Sequence, residues 1–131
     1  MQSTARGVRS YRDLQTWQKA FTLALECYKL TRRFPRSELY GLAAQVRRAA
    51  VSVPANIAEG NGRMSRGDYV RHLRIAHGSL MELETHLLLA RDLSFLSTRD
   101  AERVLTTLSE VGRMLGGLAR SLQAPTLPGA S

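Results

Sequence analysis

The sequence predicts an all-α fold: four amphipathic helices packed as an antiparallel, up-down-up-down four-helix bundle. Three observations carry this. Helix-start signals recur along the chain, each followed by an apolar stripe at helical spacing. The stretches between stripes are short, which forces antiparallel neighbours. Only four prolines occur in 131 residues, and Pro125 and Pro128 lie near the end, so little in the body breaks a helix. Aromatic residues make up only 6% of the chain, which again favours helices over sheets. A chain of this length forms one domain and needs no metal or disulfide staple.

The expected division is a flexible N-terminus over 1–10, a bundle over 11–123 and a disordered tail over 124–131. The first helix, about 11–33, starts at Ser10-x-x-Asp13, a hydroxyl cap with a carboxylate in the first turn. Its stripe reads Leu14, Trp17, Phe21, Ala24, Tyr28, Thr31. The second, about 38–59, takes Ser37 as its cap and runs Leu39, Leu42, Val46, Ala49, Val53, Ile57. Pro54 falls inside it at a cost of ~3 kcal/mol, yet the apolar pattern continues, which favours a kinked continuous helix over a break. Gly60 is placed as a left-handed C-cap.

The third helix, about 66–93, opens at Ser65-x-x-Asp68 and repeats Tyr69, Leu73, Ala76, Leu80, Leu83, Leu87, Ala90. The fourth, about 98–122, opens at Ser97-x-x-Asp100 and repeats Val104, Leu108, Val111, Leu115, Leu118, Leu122. Such 4-3 alternation is the seam of coiled-coil-like packing. Tyr69, Val70, Ile75, Leu88 and Leu89 add apolar surface beyond that seam and suggest a second interface. Gly112-x-x-x-Gly116 suggests close helix contact.

The net charge of +8 is unevenly placed. Arg32, Arg33, Arg36, Arg47, Arg48, Arg63, Arg66, Arg71 and Arg74 face only Glu38, Glu59 and Asp68 in their stretch. Arginine suits bidentate phosphate contacts. A GC-rich genome explains an excess of arginine over lysine equally well, but not the clustering. In an antiparallel hairpin turning near Arg63, Arg71 lies level with Ala55 and Arg74 with Ser52, within a turn of Arg48. Arg47 and Arg48 point about 100° apart, so only one lies centrally on that face. The expected nucleic-acid-binding set is Arg47, Arg48, Arg63, Arg66, Arg71 and Arg74.

A second set is polar. Gln45, Ser52 and Glu59 recur every seven residues, and Asn56 continues the apolar seam of the same helix. Ser79 and Glu82 on the third helix are candidate partners. The set reads either as a network fixing helix register or as a contact between subunits.

Catalysis is disfavoured. Di-metal bundle sites need inward Glu-x-x-His motifs, and none occurs. Glu82 and His86 are four apart and flank the seam, and the histidines read as solvated or packed. Cys27 reads as a small hydrophobe, and Ser52 and Ser79 have no evident base. No metal or cofactor is expected. A single cysteine suits a reducing compartment, the first residues lack a secretory core and no apolar run spans a bilayer, so a cytoplasmic location is expected.

These motifs resemble the bacterial four helix bundle protein family, whose members include proteins encoded in 23S ribosomal RNA intervening sequences. The resemblance rests on Trp17-Gln18-Lys19-Ala20, Phe34-Pro35, Glu38-x-Tyr40-Gly41-Leu42 and Gln45-x-Arg47-Arg48-Ala49. It continues through Ser52-x-Pro54-x-Asn56-Ile57-x-Glu59-Gly60, Ala76-x-Gly78-Ser79-Leu80-x-Glu82-Leu83-Glu84 and Leu115-x-Gly117-Leu118. It implies a bundle that assembles as a cyclic homopentamer. The fold also looks like the accessory variability determinant proteins of diversity-generating retroelements. That likeness implies RNA or DNA, and a reverse transcriptase or other nucleic-acid enzyme, as partners. The expected function is non-enzymatic nucleic-acid binding or scaffolding. Its rival is a structural module whose basic face meets an acidic protein.

Overall fold

A computed structural model describes residues 10–123, so the expectations for the first nine residues and for 124–131 lie outside it. Four helices occur among the described residues, with no strand: α1 (Gln15–Thr31), α2 (Leu42–Asn61), α3 (Arg66–Asp92) and α4 (Thr98–Gln123). Each packs on its neighbours in chain order, α4 closes against α1, and the backbones of the diagonal pairs stay apart. The most extensive pairing is α2 with α3.

The core is a stack of small and branched side chains. Its fully buried members include Leu23, Val46, Val53, Ile57, Leu73, Leu80, Leu83, Leu87, Val104, Leu108, Val111 and Leu115. The stripes expected for α3 and α4 therefore face inward. In α2, Leu42, Val46, Ala49, Val53 and Ile57 also face inward, and the helix runs unbroken through a buried Pro54. Leu39 does not belong to that stripe: it lies before the helix and is exposed.

The stripe expected for α1 holds only in part: Leu14, Ala24 and Thr31 are buried, but its aromatic members turn outward. Phe21 and Tyr28 are exposed and Trp17 is half-buried, while Thr16, Ala20, Leu23, Cys27 and Leu30 line the core. This seam also alternates by four and three. Small residues let α1 approach its neighbours closely. The rings instead pack on one another, Tyr11 edge-on to Trp17 at 5.2 Å and Trp17 stacked on Phe21 at 4.9 Å between centroids. Cys27 is fully buried, and that burial, with Glu26 beside it, pushes its thiol up to about 12.

Two helix starts also move. Ser10 and Asp13 do form a reciprocal capping box, but it closes a single 3-10 turn (Tyr11–Asp13). Leu14 then turns extended to bury its side chain, and α1 begins one residue later. Ser37 sits inside a second 3-10 turn (Arg36–Glu38) instead of capping α2. Glu38 takes that role, its Oε1 accepting from the Leu42 backbone N–H at 3.0 Å. Ser65 and Ser97 cap as expected, accepting from the backbone N–H groups of Asp68 (3.0 Å) and Asp100 (3.1 Å). The α3–α4 turn puts Ser94 at φ 64, and the Phe95 N–H returns to the Ala90 carbonyl at 2.9 Å, a Schellman-type end.

Candidate functional site

Gly60 sets how α2 meets α3. It is buried within the last turn of α2, and the helix ends at Gly62 in right-handed geometry, so Gly60 is not the expected left-handed cap. A Cβ at Gly60 would lie 2.8 Å from the His72 Cβ and 3.0 Å from the Tyr69 ring. The absence of a side chain is what lets the two backbones come together. Gly112, by contrast, would bring its Cβ no nearer than 3.4 Å to Leu80, and a Cβ at Gly116 would meet only Arg120 of its own helix, so that pair does not impose close contact.

Above Gly60 runs a chain of hydrogen bonds. Ser52 Oγ and Ser79 Oγ are 2.7 Å apart across the interface. Asn56 Nδ2 donates to the Ser52 carbonyl at 2.8 Å and to Ser52 Oγ at 3.1 Å. That leaves Asn56 Oδ1 as acceptor for His72 Nδ1 at 3.1 Å, so His72 carries its proton on Nδ1. His72 Nε2 is buried with no partner. At the end of the interface Asn61 Nδ2 donates to the Tyr69 hydroxyl at 3.3 Å. Burial pushes the Tyr69 phenol above its ordinary pKa, against the pull of that bond.

The polar set thus divides. Ser52, Asn56 and Ser79 are brought together. Gln45 is half-buried on α2 and joins none of these bonds. Glu59 turns to Arg63 at 2.8 Å, and Glu82 is exposed 3.4 Å from His86. His72 was missed. The signal for it was available: His72, Ala76, Ser79, Leu83 and His86 form a second 4-3 alternation on α3, the one facing α2.

The six candidate arginines do not gather on one face. Ser52 lies level with Ser79, about one helical turn further along α3 than a hairpin centred on Arg63 predicts, because the Gly60 contact sets the register. Arg74 is turned away from α2 and lines a groove with Leu115 and Ala119 of α4. Arg47 turns the other way. Its Nε donates to Thr31 Oγ1 of α1 at 2.8 Å, and its guanidinium lies 4.9 Å over the Tyr28 ring. Arg63 is paired with Glu59. Arg48, Arg66 and Arg71 are exposed and have no carboxylate partner among the described residues.

Among the described residues no three His, Cys, Asp or Glu side chains come together as a metal site, and no helix is long and apolar enough to cross a membrane. Bundle, network and charge define a basic helical-bundle protein with a part-buried polar network across the α2–α3 interface. The profile of the 23S rRNA-intervening sequence protein family matches residues 12–117, and the chain belongs to that family. A solved structure of similar fold is that of a protein of unknown function from the S23 ribosomal protein family of Bacteroides thetaiotaomicron VPI-5482. It is 22% identical, with a TM-score of 0.75 over 80% of this chain and 95% of that one. No curated protein matches the chain.

Proposed function

We propose that this protein is a non-enzymatic, oligomeric nucleic-acid-binding module that holds RNA or DNA, or scaffolds an enzyme acting on it. One observation carries the reading. Of the nine arginines from Arg32 to Arg74, only Arg33 and Arg63 pair with a carboxylate among the described residues. The other seven have no carboxylate partner among those residues, in a stretch where acids are scarce; of these Arg47 is held by Thr31 and Tyr28 and keeps only its terminal amino groups for phosphate. Assembly as a cyclic pentamer accounts for the apolar side chains left outside: Phe21, Leu25 and Tyr28 on α1, Val51 on α2, and Ile75 and Leu89 on α3. A ring multiplies weak phosphate contacts through avidity.

Fluorescence anisotropy with labelled oligonucleotides tests the binding. The wild type is expected to bind at ~100 mM salt, with log affinity falling linearly against log salt. Changing Arg48, Arg66, Arg71 and Arg74 together to Gln should leave helical circular dichroism intact and weaken binding sharply. A wild type that ignores nucleic acid but binds acidic proteins would make the surface a protein-interaction module. Light scattering at micromolar concentration should report a mass near five chains, and a clean monomer ends the ring.

A further inference from the structure

The turn from α1 into α2 encloses a pocket of about 270 Å³. Phe34, Pro35 and Leu39 form its apolar wall, and Arg32, Arg36 and Arg47 bring charge to it. None of these three arginines has a carboxylate partner among the described residues. The nearby acids are already committed: Glu38 accepts from the Leu42 N–H at 3.0 Å, and Asp100 is held by Arg33 at 2.8 Å. Arg47 is set in place before any ligand arrives, through Thr31 on its Nε and Tyr28 beneath its plane. Only its terminal amino groups stay unbonded. A guanidinium fixed this way loses little freedom on binding an anion.

The rim is as informative as the interior. Leu39, which lines the pocket, is 47% exposed, and Tyr40, its neighbour in the chain though not a lining residue, is 92% exposed, a ring with no packing duty in the chain. Guanidinium groups alone accept any oxyanion. An apolar wall and a bare aromatic ring select an anion joined to a flat, apolar-faced group. A nucleotide has that pairing, and in a single strand its base is free to leave its neighbours, whereas a duplex keeps its bases stacked inside. The volume lies at the small end for ligand pockets and suits one ring system.

We infer that this pocket holds one phosphate and the adjacent base of a single-stranded nucleic acid, with Arg32, Arg36 and Arg47 on the phosphate and Leu39 and Tyr40 on the base. The inference rests on the nucleic-acid reading above and extends it to a site and a strandedness.

Matched single- and double-stranded oligonucleotides, titrated by anisotropy at ~100 mM salt, test it. Tyr40→Ala and Arg36→Gln change exposed side chains, so the fold is not at stake. Tyr40→Ala should weaken single-strand binding about tenfold, the size of one lost base stack, and leave duplex binding within about twofold, and Arg36→Gln should weaken single-strand binding more than duplex binding. Tyr40→Phe keeps the ring and should bind as wild type. Equal losses on both substrates, or no loss, overturn the pocket. Duplex binding without single-strand binding also overturns it while leaving the broader reading intact, whereas no binding to either strand form removes both. Displacement of the single strand by micromolar nucleoside monophosphate would assign the pocket to a free nucleotide and overturn the strand assignment.

Discussion

The α2–α3 and α1–α4 interfaces close the same bundle by different means. Between α2 and α3 the backbones meet over a bare glycine, and Ser52, Asn56, Ser79 and His72 bond to one another across the contact. Between α1 and α4 the polar groups stay at the rim, as Lys19–Glu110 and Arg33–Asp100 pairs of 2.8 Å. Partly buried hydrogen bonds accept one register and penalise every other, since a slip orphans several groups together. Rim ion pairs are weak, screened and tolerant of a shift. One seam is therefore positioned by polar geometry, the other by apolar fit with charges trimming the edge.

Leu83→Ala and Leu108→Ala each remove a buried side chain, one from α3 and one from α4. Each should cost ~2–5 kcal/mol in urea unfolding, because loss of burial and a cavity act alike in both seams. A loss below ~0.5 kcal/mol at either would mean that seam is misassigned. Gly60→Ala should cost ~1–3 kcal/mol as α3 is pushed away from the new methyl, despite alanine's better helix propensity. If it stabilises instead, the close approach at Gly60 does not set the interface.

Asn56→Ala leaves His72 Nδ1–H without an acceptor and should cost ~1–3 kcal/mol. A double-mutant cycle with His72 should return coupling of at least ~0.5 kcal/mol. Zero coupling would reduce the network to coincidence. The smallest effect belongs to Lys19→Gln. The Lys19 hydrogen bond and charge hold the Glu110 carboxyl below its ordinary pKa, so its stabilisation is present above the unfolded-state value and disappears as pH falls through the folded one. The melting difference between wild type and variant should shrink in acid and in high salt. A difference that persists in both would place the effect in packing of the lysine stem.

The seams of α3 and α4 were legible because leucine and valine occupy almost every inward position. In α1 the bulky residues misled. Trp17, Phe21 and Tyr28 look like a core stripe with Ala24, but the inward positions beside Ala24 are taken by small Ala20 and Cys27, which carry less apolar surface than the rings. Ser52 and Asn56 were legible as polar residues on an otherwise apolar helix. Their partner His72 was overlooked because the leucine stripe dominates α3, and the His72–Ala76–Ser79–Leu83–His86 alternation beside it carries a weaker hydrophobic signal. The turn pocket escaped for a different reason. Arg32 and Arg36 are close in the chain, but Arg47 joins them only once the first turn folds, whereas Arg74 follows Arg63, Arg66 and Arg71 in sequence and turns to the α4 side.

The seating of Cys27 has a practical consequence. It is the chain's single cysteine. With burial pushing its pKa up to about 12, the thiol stays protonated at pH ~8 while the helix stays shut. A disulfide reagent therefore registers the moments when α1 lifts from the bundle. Where reclosing outruns the reagent, the labelling rate scales with reagent concentration and measures the equilibrium population of the open form. Where the reagent outruns reclosing, the rate saturates at the opening rate itself. The unmodified protein is thus equipped with a chemical probe of its own breathing, placed in the helix that carries the stacked aromatic rings on its outer face.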